Sequence, residues 1–537
     1  MRIFKSFFRW LCPGAAVVCL SFSGAAAGQP GKVVLQYHFA GAPALAQDPN
    51  LDSARKVFGL KTTAAFENLA LARLSAAMAG SFHFQDGART LDAVHYLIDN
   101  LTRVESAASV GGVAGRPLEF VLAARLTAEQ AKAWEQDLKA INHGPGGPLP
   151  VAAYSGWQWN NGAGDTFWMV PAGGWLVAGR GESLAGVRLA YLQQIQKTGR
   201  PVAALAGDCF TADVDWPGLA NWAPLSSCPL KLGRTQIVIK PEYGGFHMTC
   251  QVYYPEAIQW QAQTRIAPKN MVLEPLTSFT TGVDVEPFLK SDRTLASFPS
   301  NPLRSQFYCW SMGQMPFQYY VAWPESNPGG KMAGLAAAAT SALNPSLKAL
   351  NGSKLQWQPK GGQLIWSKLP IVAPTVFAAP KEDGEFMVAG LFPLTPGLRP
   401  ASAALWDQFM GRKDLVYYDW ELTGRRLAPL MTLTQVTPLL QAFGIETGAS
   451  ARGGDVAGRL KVEKNWLVTL VPVLGNTVTE VTKTAANQVT VTRNSPLVFS
   501  SLELVMLAHV LSDTPSGPVD WSLLPQAKIT GPGLPRH

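Results

Sequence analysis

Short pieces of this chain recur in one order, and that order limits the folds open to it. "RPLEFVLA" (116–123) reappears as "MPFQYYVA" (315–322), "GGWLVAG" (173–179) as "GEFMVAG" (384–390), and "LGRT" (232–235) as "LGNT" (474–477). Between them "VDWPGLANW" (214–222) is echoed by "YDWELTGRRL" (418–427), and at the front "YHFAGAPALA" by "TSFTTGVDVE", with Phe39 against Phe279. Pro255 and Pro496 close each set. Ordered anchors of this kind predict one structural module written twice, with insertions, the largest between Asp419 and Gly475.

Within each set the strands alternate. "KVVLQYHF" sends Val33, Leu35, Tyr37 and Phe39 to one face and Val34, Gln36 and His38 to the other. "HMTCQVYY" and "NQVTVTR" do the same, which is the mark of antiparallel sheet. Helical stripes lie between the strands: Phe66, Leu69, Leu74 and Met78; Leu91, Val94, Ile98 and Leu101; Ala131, Trp134, Leu138 and Ile141. Thr127 and Gln130 form a capping box, and Gly199 and Gly411 suit left-handed helix ends. The expected fold is α+β: two tandem related modules, 28–262 and 273–512, each a mainly antiparallel sheet with helices packed on one face. A linker near 263–272 joins them, and 513–537 is a Pro/Gly-rich tail.

The first 27 residues read as a signal peptide. Arg2, Lys5 and Arg9 precede the short apolar run "LCPGAAVVCLSF", and Ala25 and Ala27 give the small-x-small cleavage pattern. The expected address is therefore exported, periplasmic or extracellular, with no membrane span after cleavage. Losing those three basic residues takes the formal net charge from +8 to +5. The remaining lysines and arginines are scattered singly, which argues against nucleic acid as a partner. Four cysteines remain in a compartment that permits disulfides; Cys209 and Cys228 are the expected pair, with Cys250 and Cys309 as their complement.

The export pattern, the "DW" after a strand and the late "LGNTVTEVTK" together resemble uncharacterised exported bacterial proteins grouped under domains of unknown function. That resemblance spans most of the mature chain and implies a duplicated α+β module, with no catalytic residues to carry over.

The chemistry-bearing residues are sparse. Asp213 and Asp215 share a strand face, as do Asp419 and Glu421, and such pairs could serve an exported hydrolase of polysaccharide or peptidoglycan; Asp215 and Asp419 are the catalytic candidates. The competing reading makes each Asp a helix cap and each following Trp an anchor, the same corner in both modules. "GWLVAGRGESLAG" imitates a phosphate loop, but Gly186 falls too far from Gly181 for the dinucleotide pattern. The histidines are isolated, no CxxC, HExxH or GxSxG occurs, and neither metal nor cofactor is expected. Trp157 and Trp159, beside Asn160 and Asn161, offer rings for sugar stacking or filler for the core, with Trp357 and Trp366 as their echo. The leading expectation is a non-enzymatic binding or scaffold protein of the cell envelope; a lipid or lipoprotein carrier is the third.

Overall fold

Among the described residues twenty strands, all paired antiparallel, form one continuous sheet in the computed structural model. It describes residues 31–512 except 82–86, 115, 142–145, 152–153, 161–165, 203–206, 221–231, 261, 286–305, 315–316, 348–353, 359–362, 368–371, 380–384 and 432–455. The expected signal segment and tail lie outside the described residues.

The first ten strands are β1 Lys32–Phe39, β2 Ser106–Gly112, β3 Glu119–Arg125, β4 Gly146–Val151, β5 Tyr154–Asn160, β6 Thr166–Ala172, β7 Trp175–Arg180, β8 Phe210–Asp215, β9 Arg234–Glu242 and β10 Gly245–Tyr253. The second ten are β11 Leu276–Val283, β12 Gln306–Met312, β13 Tyr319–Pro324, β14 Lys354–Gln358, β15 Gln363–Ser367, β16 Thr375–Ala378, β17 Phe386–Gly390, β18 Leu415–Leu422, β19 Asn476–Ala485 and β20 Gln488–Ser495. Across the sheet the first ten run β4-β5-β6-β7-β3-β2-β1-β8-β9-β10. There β10 pairs with β20, and the second ten follow as β20-β19-β18-β11-β12-β13-β17-β16-β15-β14.

The longer helices are α1 Ala42–Gln47, α2 Asp52–Phe58, α3 Lys61–Ser81 and α4 Gly87–Arg103, all between β1 and β2; α5 Ala128–Ile141 after β3; α6 Ala185–Thr198 after β7; α7 Trp216–Leu219 after β8; α8 Pro328–Leu347 after β13; α9 Ala403–Asp407; α10 Val456–Leu470; and α11 Ser501–Ser512. No described helix is long and apolar enough to cross a membrane.

These helices cover both faces of the sheet, and not one as the strand patterns suggested. Val121 and Ala123 of β3 pack under Tyr191, Leu192 and Ile195 of α6. The alternate residues Leu122 and Ala124 pack under Trp134 of α5 and Leu97 and Leu101 of α4. β3 is buried on both sides, so its sequence carries little polarity to give that away.

The capping box forms as the sequence implies: Gln130 N–H donates to Thr127 Oγ1 at 3.2 Å, and Thr127 N–H to Gln130 Oε1 at 3.0 Å. Gly199 takes the left-handed conformation after α6, with φ 76°. Gly411 does not: it lies beyond α9 and is not among the glycines of positive φ.

The largest core spans the seam between the two sets of strands. It gathers Phe66 of α3, Trp466 and Leu467 of α10 and Leu504 of α11 over Met248, Cys250 and Val489. Phe66 and Trp466 stack with centroids 4.1 Å apart, and Trp466 Nε1 donates to Thr63 Oγ1 at 3.1 Å. Replacing Trp466 by Ala removes both and leaves a large void. We expect a loss of about 3–5 kcal/mol in urea unfolding; a change below about 1 kcal/mol would show that the α3–α10 contact does not hold the two sets of strands together.

Candidate functional site

Asp215 and Asp419 occupy unlike places. β8 ends at Asp215: Pro217, two residues on, has no N–H to give a sheet and sits instead in the first turn of α7, which begins at Trp216. Asp215 Oδ1 accepts from Gly218 N at 3.1 Å, and Lys32 Nζ reaches Oδ2 at 2.5 Å. Partial burial works to raise this carboxyl, but Lys32 and the Gly218 amide hold it below the ordinary value. Asp213 faces Arg234, whose Nε donates to Oδ1 at 2.7 Å. Asp215 is thus a cap, as the structural reading of the corner required.

Asp419 lies inside β18, which continues through Trp420, Glu421 and Leu422. It is buried, and takes a hydrogen bond from Thr280 Oγ1 at 2.5 Å rather than from a main-chain amide. β9, β10, β20 and β19 stand between the strands of the two aspartates, a span of about 24 Å at ordinary strand spacing. They cannot act on one bond. The expectation of one corner made twice is corrected: one Asp caps a helix and the other lies within a sheet.

Asp419 belongs to a buried polar cluster that sequence reasoning missed. Arg426, on a helical segment 423–431, donates through Nη1 to Glu421 Oε2 at 2.8 Å and stands 3.8 Å from Asp419 Oδ1. Glu421 also accepts from Ser501 N at 2.6 Å and Ser501 Oγ at 2.7 Å, anchoring the start of α11. Arg493 of β20 donates to Thr479 Oγ1 at 2.9 Å and pairs with Glu503 of α11, Nη1 to Oε2 at 2.7 Å and Nη2 to Oε1 at 3.1 Å. Burial pushes the Asp419 carboxyl up to about 6, against the opposing pull of Arg426. Arg426 stays protonated, since Glu421 and Asp419 outweigh its own burial.

Beside this cluster is a cavity of about 390 Å³, lined by residues that include Ser278, Thr280, Cys309, Val321, Ala389 and Arg426. Cys309 is no thiolate: burial raises its thiol to about 12. Among the described residues Arg426 is the charged member of the lining.

The remaining sequence candidates resolve simply. Cys209 is a buried free thiol donating to Ile239 O at 3.2 Å, and Cys228, its expected partner, lies outside the described residues. Cys250 and Cys309 are also free thiols, on β10 and β12 with four strands between them. The glycine loop is filled by protein, since Ser183 N donates to Glu119 Oε2 at 2.7 Å where a phosphate oxygen would sit. Trp159 is buried against the sheet, while Trp157, 40% exposed, carries Lys139 Nζ 4.6 Å over its ring. Trp357 and Trp366 pack under Met332 of α8 as filler. No group of metal-ligating side chains occurs among the described residues. Compared with protein-family models, curated proteins and solved structures, the chain matches none.

The raised Asp419 carboxyl has a signed consequence. Its folded value exceeds the unfolded one of about 3.9, so between about pH 4 and 6 the folded state binds more protons. Stability is then lost as pH rises through that window, by roughly 1–3 kcal/mol. Asp419→Asn should remove the loss, matching the parent at pH 4 and exceeding it at pH 8 in urea unfolding. A variant equally destabilised at both pH values would show that Asp419 is ionised throughout.

Proposed function

We propose that this chain is an exported envelope protein built from two related α+β lobes, and that it acts by binding a small molecule in the second lobe rather than by catalysis. Export rests on the basic, apolar and small-x-small order of the first 27 residues.

The relatedness of the lobes is supported by following strand pairings outward from one sequence match. Ala123 and Ala322 are matched in sequence; across the next strand they pair with Val177 and Val388, which "GGWLVAG" and "GEFMVAG" align independently. In the other direction Ala123 leads to Ala107, His38, Thr211 and Val238. Ala322 leads to Tyr308, Thr281, Tyr418 and Glu480. Val238 and Glu480 lie equally far beyond the leucines of "LGRT" and "LGNT". The register shift between Val33 and Leu35 of β1 also has its counterpart between Leu276 and Ser278 of β11.

Under these pairings two of the sequence anchors shift. Asp419 stands opposite Ala212 and Glu421 opposite Val214, while Asp215 faces Leu422 and Phe39 faces Gly282. The polar cluster is therefore peculiar to the second lobe. Thr479 corresponds to Ile237, Arg493 to Cys250, and Arg426, carried on from β18, to Leu219. A fold that is stable with apolar residues at these places does not need charges there, so their presence in one lobe favours a task over a structural rule.

The observation that carries the reading is the cavity itself. In the first lobe Leu122 and Ala178 are covered by Trp134, Leu97 and Leu101. Their counterparts Val321 and Ala389, paired in the same way, line open space. A volume of about 390 Å³ suits a small molecule and leaves no room for a two-chain lipid. The hydrolase alternative would want carboxylates facing one cleft; Asp213 and Asp215 are held by Arg234 and Lys32, and Glu421 by Ser501 and Arg426.

Filling the space tests this. With the mature chain, ligand-observed NMR against a small-fragment collection should find binders. Val321→Trp should keep the parent unfolding midpoint and lose those binders. Binders that survive in Val321→Trp would place binding elsewhere.

A further inference from the structure

We propose that the second-lobe cavity takes a monocarboxylic acid with an apolar body, its carboxylate seated on Arg426, and that a proton is taken up at Asp419 as it binds. This rests on the binding reading above and names the ligand class for the same site.

Arg426 is unpartnered along one edge of its guanidinium. Its Nη1 is engaged by Glu421 at 2.8 Å and faces Asp419 at 3.8 Å. Its Nε–H is buried with no acceptor. A buried guanidinium donor without a partner costs roughly 1–3 kcal/mol or more, and the Tyr319 hydroxyl buried in the same lining is a second group that a carboxylate can engage. A carboxylate meets the Nε edge of a guanidinium with two parallel bonds, the geometry in which arginine surpasses lysine. The rest of the lining fits one polar head on a greasy body: the hydroxyls of Ser278 and Thr280 are held by Ser311 and Asp419, while Val321, Ala389 and Leu391 bring hydrocarbon.

Charge balance then points to Asp419. The groups facing it are Arg426, Glu421 on its own strand, Thr280 of β11, Arg493 of β20, Tyr417 and Cys309. Arg493 is already neutralised by Glu503, and Glu421 is fixed by two bonds from Ser501 besides Arg426. A third carboxylate about Arg426 leaves one negative charge too many in a buried place. Asp419 has the weakest hold on its charge, with one hydroxyl donor and a distant guanidinium. It is the group that takes a proton from solvent, so that one anion enters and one is discharged. The raised titration of Asp419 agrees with this assignment.

The test is isothermal calorimetry of the mature chain at pH 7 with octanoate and its neutral analogue octanamide, in buffers of unlike ionisation enthalpy. We expect octanoate to bind at least about ten-fold more tightly than octanamide, with uptake approaching one proton. Arg426→Gln should abolish the preference; because it strands Glu421, Arg426→Lys serves as the folded control, keeping the cation but losing the forked contact and at least about ten-fold in octanoate affinity. Asp419→Asn should bind octanoate no more weakly than the parent and take up no proton. Octanamide binding as tightly as octanoate, no octanoate binding, octanoate binding untouched by Arg426→Lys, or no proton uptake would each overturn the proposal. Octanamide binding that vanishes in Val321→Trp would overturn only the acid class and keep the cavity as a site. Octanoate binding that persists in Val321→Trp would overturn the cavity reading as well.

Discussion

Eight residue pairs between β10 and β20, from Phe246 with Ser495 to Tyr253 with Gln488, join two ten-stranded sheets into one. Each of these strands would otherwise be a long open edge, the kind of surface that recruits other chains. One side of the pair is greasy, with Met248, Cys250, Val252 and Val489 in the central core. The other is polar, with His247 Nδ1 against Asn494 Oδ1 at 2.7 Å. Register is fixed by that contrast, since a slip of one residue would turn the core side outward. At the far end of the sheet β4 carries Pro148 and Pro150, which deny an incoming strand two of its amide bonds. The seam is paired and that outer edge is blunted.

Over the seam the chain sets a lid drawn from both sides. α3 comes from the β1–β2 connection, while α10 comes from the β18–β19 connection and α11 follows β20. Their contact depends on the continuous sheet beneath, because only then do the two insertions rise on one face and meet. α11 is fastened differently from α3: its first turn is tied by Glu421 to Ser501, and its Glu503 to Arg493. Buried ion pairs are seldom a gain in stability over well-packed hydrocarbon. Their use here couples the position of α11 to the charge state of the cluster next to the cavity.

Much of the secondary structure was legible because it rests on local chemistry. Alternation marked β1, β10 and β20, and Thr127 with Gln130 marked the start of α5. Strands buried on both faces, such as β3, hid the second layer of helices, since alternation vanishes when neither side meets water. The aspartates misled for a specific reason. "DW" looks alike in two places, yet Pro217 ends one strand directly after it and Glu421 prolongs the other. The deciding residue was the one after the motif. Nor could sequence spacing bring Ser501 to Glu421, because β19 and β20 come between them in the chain.

The two halves of the chain carry their longest connections in different places. In the first half residues 40–105 intervene between β1 and β2, and the last of their helices, α4, reaches over Leu122 and Ala178 beside α5. In the second half the corresponding connection runs only from Val283 to Gln306, and the long insertion lies instead between β18 and β19, where α10 is spent on the seam. Among the described residues, Val321 and Ala389 line the cavity while Leu122 and Ala178 lie under α4 and α5. The charges of Asp419, Glu421, Arg426 and Arg493 lie beside the cavity, at the end of the sheet that the seam core and α11 cover.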